Sequence, residues 1–361
     1  MAADLSLIEL AALADDDDLM LYALDENDDT GRESTFDPRW ERFDINNYND
    51  EQCKAKFRFS KGEIGQLLDS LAIPRVYKCP HGCIVSGHDG LCMLLRRLVY
   101  PNRLVDLEKE FGRPKSVLSE IITTVHEDIY SRFHTKFSQL EQSWMGQTPR
   151  DKLQEFANAV HEKGAPLTNC WGFIDGTPRQ ICRPKYNQKV CFSGHKRYHC
   201  IQFQSVVAPN GLIVNLFGPV EGRRHDSAML RMSNLVRILE ILDYRMNDED
   251  RTPICLYGDP AYPLRDILVG PFKGAVLTDE QKEFNKRMSS VRQSVEWQFG
   301  EIVGIFAFLD YEKNLKLYLQ PVGKLYVVGA LLTNCHTCIK GSQTGIYFGV
   351  EAPTLEDYLA I

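Results

Sequence analysis

Near Asn169 the helical period of the preceding chain gives way to strand-like sequence. NCWGFIDGT, YHCIQFQSVVA and GLIVNLFGPV are apolar runs of strand length, and the last two are separated by the turn PNG. Asn-Gly between such runs is a strong hairpin signal, because the backbone twist it favours matches that of the strands it joins. DSAMLRMSNLVRILEIL then returns to helical spacing, ICLYGD is a short apolar run ended by Pro260 and Pro263, and TDEQKEFNKRMSSVRQSVEWQFGEIV is a long polar-amphipathic helix. Further helical sequence runs from about Leu317 to Ile339. A hairpin is antiparallel, whereas a strand-helix-strand connection favours a parallel neighbour. The order therefore predicts an α/β domain built on a mixed sheet.

Upstream, from Phe57 to about Phe137, the period is helical throughout. Residues 51–150 read as an all-helical domain. Leu104, Leu107 and Phe111 form one apolar stripe, Gly112 and Pro114 break it, and Val117, Ile121 and Val125 form the next. A helix-turn-helix of this size can place its second helix in a major groove, with Arg113, Lys115 and Ser116 near that helix's start as candidate readers. An ordinary helical hairpin fits the same spacing. Cys79, His81, Cys83, His88 and Cys92 lie together in YKCPHGCIVSGHDGLC, but their spacing matches no usual structural-zinc pair, so the stretch reads as a turn-rich loop and no metal is assigned there.

Charge is distributed unevenly. Residues 1–50 hold fifteen Asp or Glu against three Arg, a balance of −12 in a chain of net −7, so residues 51–361 carry +5. The first 50 residues read as a solvated acidic leader that could shield basic surface, and residues 341–361 as a C-terminal tail. No apolar run is long enough to span a bilayer, and the N-terminus lacks the pattern of a secretory signal; a soluble, unsecreted protein is expected. The 11 cysteines, scattered as single residues, suit reduced thiols of cytosol or nucleus rather than a disulfide framework.

Four acids stand out once placed on these elements. Asp175 ends the first strand, Asp226 starts the helix after the third, Asp259 ends the fourth, and Glu296 sits in the long helix. Each has an ordinary explanation as a turn residue, a helix cap or half of a surface ion pair with Arg292. Together they fit another chemistry. Asp175 and Asp259 close strands at their carboxyl ends, where open α/β sheets place their sites, and a cluster of carboxylates suits hard divalent cations such as Mg²⁺ or Mn²⁺ in phosphoryl transfer. Basic side chains lie close by in sequence: Lys196 and Arg197 in SGHKRYH, Arg223 and Arg224 in GRRHDS, and Arg292 one turn before Glu296. These are candidates for contact with a phosphate backbone.

FIDGTPRQI, GHKRYHCIQFQSVVAPNGLIVNLFGPVEGRRHDSAML, LYGDPAYPL and FNKRMSSVRQSVEWQFG, in this order, resemble the PIF/Harbinger superfamily of DNA transposases and their domesticated nuclease relatives. The resemblance covers about residues 165–340. It implies an RNase H-like core of that extent carrying a DDE triad of Asp175, Asp259 and Glu296, with Asp226 as an additional metal ligand. It further implies double-stranded DNA as substrate, a separate Myb-like DNA-binding partner, a homo-oligomer, and action in the nucleus and also the cytoplasm. Retention of every acid leaves two readings open, a transposase and a nuclease that no longer transposes. A non-catalytic DNA- or partner-binding protein is the third.

Overall fold

The computed structural model describes residues 36–139, 143–148, 150–246 and 253–360. Most of the acidic leader lies outside the described residues. The helical half runs α1 (Asp50–Phe57), α2 (Lys61–Ser70), a two-stranded ribbon β1 (Val76–Lys78) and β2 (Ile84–Ser86), α3 (Gly87–Val99), α4 (Leu104–Phe111), α5 (Lys115–Phe133), α6 (Trp144–Gln147) and α7 (Arg150–Glu162). α1 and α2 both open on capping boxes, Asn49 with Gln52 and Ser60 with Glu63, which satisfy backbone donors that a helix start otherwise leaves free.

The second half holds the main sheet: β3 (Cys170–Gln180), α8 (Gln188–Cys191), β4 (Phe192–Ser193), β5 (Tyr198–Val207), β6 (Ile213–Glu221), α9 (Asp226–Met232), α10 (Leu235–Met246), β7 (Cys255–Tyr257) and β8 (Leu268–Val269). Then follow α11 (Asp279–Ile305), α12 (Val322–Lys340), α13 (Gln343–Phe348) and α14 (Leu355–Leu359). β3 pairs antiparallel with β5 and parallel with β7; β5 pairs antiparallel with β6, and β7 parallel with β8. The order β6-β5-β3-β7-β8 is thus a meander extended by two parallel strands, the mixed sheet of an RNase H-like fold flanked by helices. All three residues of β7 are buried, as expected of a parallel strand covered on both faces. The helices α7 and α11 pack on β3, and α9 on β5.

Three sequence expectations change. The cysteine-rich stretch is not simply loop: Tyr77 pairs with Val85, and Cys79 and Cys83 are buried beside the ribbon's turn. The helix expected over DSAMLRMSNLVRILEIL is two helices, broken where Asn234 takes a left-handed φ of 54°. The expected C-terminal tail is built into the core, with Leu355, Tyr358 and Leu359 buried and the Tyr358 hydroxyl accepting from Asn334 Nδ2 at 2.8 Å.

The helical half shares this core. Arg58 Nε donates to the Ile305 carbonyl at 3.0 Å, Lys324 pairs with Glu127 at 3.1 Å, and Arg97 lies 4.4 Å over the Phe308 ring. Among the described residues, no helix is long and apolar enough to cross a membrane.

Candidate active site

The sheet brings the first acid to the edge of its parallel region. β7 pairs with β3 only as far as Tyr257 opposite Phe173, so Asp175 lies just past the end of β7, opposite Ser205 of β5. Asp259 follows two residues beyond β7, its Oδ1 accepting from the Ala261 amide at 2.9 Å. Asp226 opens α9 and rests on the β3 backbone at Gly176. A β-carbon at Gly176 would stand 2.3 Å from Asp226 Oδ1, so glycine there is what lets the carboxylate settle beside Asp175.

Arg292 joins the long helix to this edge. Met288, Val291, Phe299 and Ile302 bury one face of α11, while Arg292 pairs through Nη1 with Asp175 Oδ2 at 3.1 Å and through Nη2 with Glu296 Oε1 at 3.3 Å. One guanidinium thus links the strand acid to the helix acid, which itself remains 57% exposed.

The site is short of positive charge. Burial pushes the Asp175 carboxyl up to about 6 even though Arg292 and the Gly176 amide pull it down, and Asp259 and Asp226 add repulsion. Asp226 is also raised, by burial and then by Asp259. Beneath them lies Tyr262, 1% exposed, folded back by the turn in which its amide donates to the Asp259 carbonyl at 3.2 Å. Its ring sits where a side chain at Gly258 would be, 2.8 Å from that position. The Tyr262 hydroxyl has no hydrogen-bond partner among the described residues, and burial together with Asp226, Asp175 and Asp259 raises it well above its ordinary value. Sequence reading missed this residue, although it stands three positions after Asp259.

Three aspartates, an orphaned buried hydroxyl and carboxyls that resist ionising fit a divalent cation, whose charge would relieve all of these together. Among the described residues no three His, Cys, Asp or Glu side chains converge closely enough to hold one as they stand. Arg292 now supplies the positive charge between Asp175 and Glu296.

Residues 174–334 match the family described as DDE superfamily endonuclease. The chain therefore carries a DDE superfamily endonuclease domain. The DDE domain spans all four acids, and the resemblance to Harbinger-type transposases and nucleases is borne out at this level. An Arabidopsis thaliana relative, "Protein ALP1-like", is 27% identical over 243 residues, covering 65% of this chain and 57% of its own length. A Microchaete diplosiphon relative, "Probable transposase for insertion sequence element IS702", is 30% identical over 123 residues, covering 34% of this chain and 42% of its own. The matches thus span about half the length of these curated relatives. No solved structure matches the chain.

The cations expected to meet DNA separate into two groups. Lys196 and Arg197 are exposed in the turn between β4 and β5, Arg223 is exposed before α9, and Lys115 and Ser116 are exposed at the start of α5. Arg224 instead folds back on Glu221 at 2.7 Å, and Arg292 serves the acids. Arg113 corrects its sequence reading as a base reader. It is 3% exposed, its guanidinium 4.0 Å over Phe36 and donating to the Ile84 carbonyl at 3.2 Å, because the chain ahead of α1 crosses the α4–α5 turn and covers it.

Proposed function

We propose that this protein is a metal-dependent DNA endonuclease of the transposase type, with Asp175, Asp259 and Glu296 as its catalytic acids and Asp226 as an added ligand. The observation that carries the reading is the gathering of Asp175, Asp226 and Asp259, from three separate elements, at one end of the parallel strands, where burial and then repulsion from neighbouring carboxylates raise the proton affinity of Asp175 and Asp226. A structural role would not require that repulsion. Mg²⁺ or Mn²⁺ bound there would supply positive charge that makes water more acidic and offsets charge building on the phosphate oxygens.

The protein's own part is positional. Asp175 and Asp226 are fixed by β3 and by the contact at Gly176, Asp259 by the turn after β7, and Glu296 by Arg292. In hydrolysis, the oxygen of water bonds to phosphorus as the P–O3′ bond breaks. The products are a 5′ phosphate and a 3′ oxygen that takes up a proton. Strand transfer would repeat the displacement with that 3′ hydroxyl as nucleophile. Lys196, Arg197 and Arg223 would hold the phosphate backbone of double-stranded DNA, with Lys115 a further contact. Action in the nucleus, a Myb-like partner and self-association belong to the same proposal.

The test is nicking of supercoiled plasmid in Mg²⁺ or Mn²⁺. Wild type is expected to cut and Asp259→Ala to lose at least about 100-fold in rate, the scale of removing a principal electrostatic group; Asp226→Ala should retain part of the rate. Equal nicking by wild type and Asp259→Ala would refute the assignment.

A further inference from the structure

β3 and β5 run on together beyond Asp175 for five more residues, to Gln180 opposite Cys200. At about 3.4 Å per residue this ribbon reaches roughly 17 Å past the acids. Residues 181–197 form a flap at its end, comprising α8, β4 folded back on β5, and the turn before Tyr198.

Its surface combines two features that a merely soluble face does not need together. Lys185, Lys189, Lys196 and Arg197 are exposed and, among the described residues, none of them is paired with a carboxylate. Between them stand two exposed rings: Tyr186, 59% exposed and edge-on to Tyr318 at 6.1 Å, and Phe192, 40% exposed and edge-on to His199 at 5.4 Å.

The backbone here is held in unusual conformations. Asn187, Arg197 and Tyr318, with φ of 55°, 60° and 71°, are three of the six described non-glycine residues in the left-handed region. Asn187 Nδ2 also donates to the Tyr318 hydroxyl at 3.1 Å, fixing the two strained residues to each other. Such conformations cost energy and tend to persist where surroundings enforce a particular presentation of side chains. The flap is also tied to the acids, since the Arg223 amide donates to the Val190 carbonyl at 3.3 Å, three residues before Asp226.

Cations alone would suit any phosphate backbone. Exposed rings add a preference, because the bases of an intact duplex are already stacked on one another, whereas unpaired bases have free faces that aromatic side chains can cover. We infer that the flap grips an unpaired stretch of the DNA strand roughly 17 Å from the scissile phosphate, the reach of the ribbon, with bases on Tyr186 and Phe192 and phosphates on the four cations. This rests on the nuclease reading and adds a substrate class to it: DNA that is splayed or single-stranded beside the cut.

The experiment is fluorescence anisotropy of the full chain in EDTA with two labelled DNAs, a blunt duplex and the same duplex carrying a splayed ten-nucleotide arm. Wild type is expected to bind the splayed DNA about 10-fold more tightly, and Tyr186→Leu with Phe192→Leu to abolish that preference, since stacking one or two bases is worth at least this much. Lys196→Ala should instead weaken both DNAs alike. Equal wild-type affinity for the two DNAs overturns the inference while leaving the nuclease reading standing, as does a preference that survives in the double variant. Wild type that binds neither DNA overturns both. Both rings are exposed, so circular dichroism of the double variant should match that of wild type.

Discussion

The acidic edge of the sheet and the α4–α5 turn are both rich in charge, and they handle it in opposite ways. At the turn, charge is absorbed into the fold: Arg113 lies over Phe36, and Lys56 and Arg96 converge on Glu110 at 2.7 and 3.0 Å. At the sheet edge, three aspartates share Arg292 as their one ion-pair partner among the described residues, through Asp175, and a tyrosine hydroxyl is buried with nothing to bond. Both regions invite a DNA-contact reading from sequence. Unbalanced charge, rather than charge itself, distinguishes the working region from the scaffold, because an uncompensated buried group costs stability that only another role offsets.

The sharpest way to break this contrast is to remove one charge from each side. Arg113→Ala should destabilise the fold by about 3 kcal/mol, through lost packing and a cavity at the turn. Its folded fraction should bind DNA as wild type does, as thermal unfolding alongside anisotropy would show. A stable variant with weakened DNA binding would restore Arg113 as a reader. Lys196→Ala combined with Arg197→Ala should do the reverse, costing about tenfold in affinity and lowering the salt dependence by roughly two counterions, with the unfolding midpoint unchanged.

Two smaller effects sharpen the comparison. Tyr262→Phe removes the orphaned hydroxyl and keeps the ring, so in EDTA the protein should gain about 1 kcal/mol; a lower midpoint would mean that the hydroxyl already has a partner. Glu301, on α11, carries a carboxyl that burial raises from 4.5 to about 7. A carboxyl raised on folding lends stability below its unfolded value and loses it as pH rises through its folded one. Glu301→Gln should therefore gain on wild type between pH 5 and pH 8, by about 1 kcal/mol or less at the upper end, and show no gain at pH 4. A constant offset across that range would place the effect elsewhere.

Much of the scaffold was legible because its signals are local. The PNG turn joins β5 to β6 as expected, and Asp259 follows β7 as its apolar run indicated. Asp175, however, does not end its strand: β3 runs on to Gln180 because β5 continues to pair with it, and only the parallel pairing with β7 stops short of Asp175. What was hidden depends on distant chain. Nothing near Arg113 announces that Phe36 will cover it, and a three-residue strand such as β1 has too few positions to display a period. Tyr262 was missed for a related reason. An aromatic after a proline turn reads as core, and its significance comes only from the carboxylates that the fold sets above it.

The most direct measurement is a calorimetric titration of the full chain with Mn²⁺, repeated for Asp175→Asn and Asp259→Asn. Saturable binding by wild type that is lost or weakened at least about tenfold in each variant is the expected result, since each removes a hard oxygen ligand from the same cluster. Wild type that takes up no Mn²⁺, or variants that bind it as well as wild type does, would contradict the proposal that the aspartates are held apart from other charges in order to share a metal.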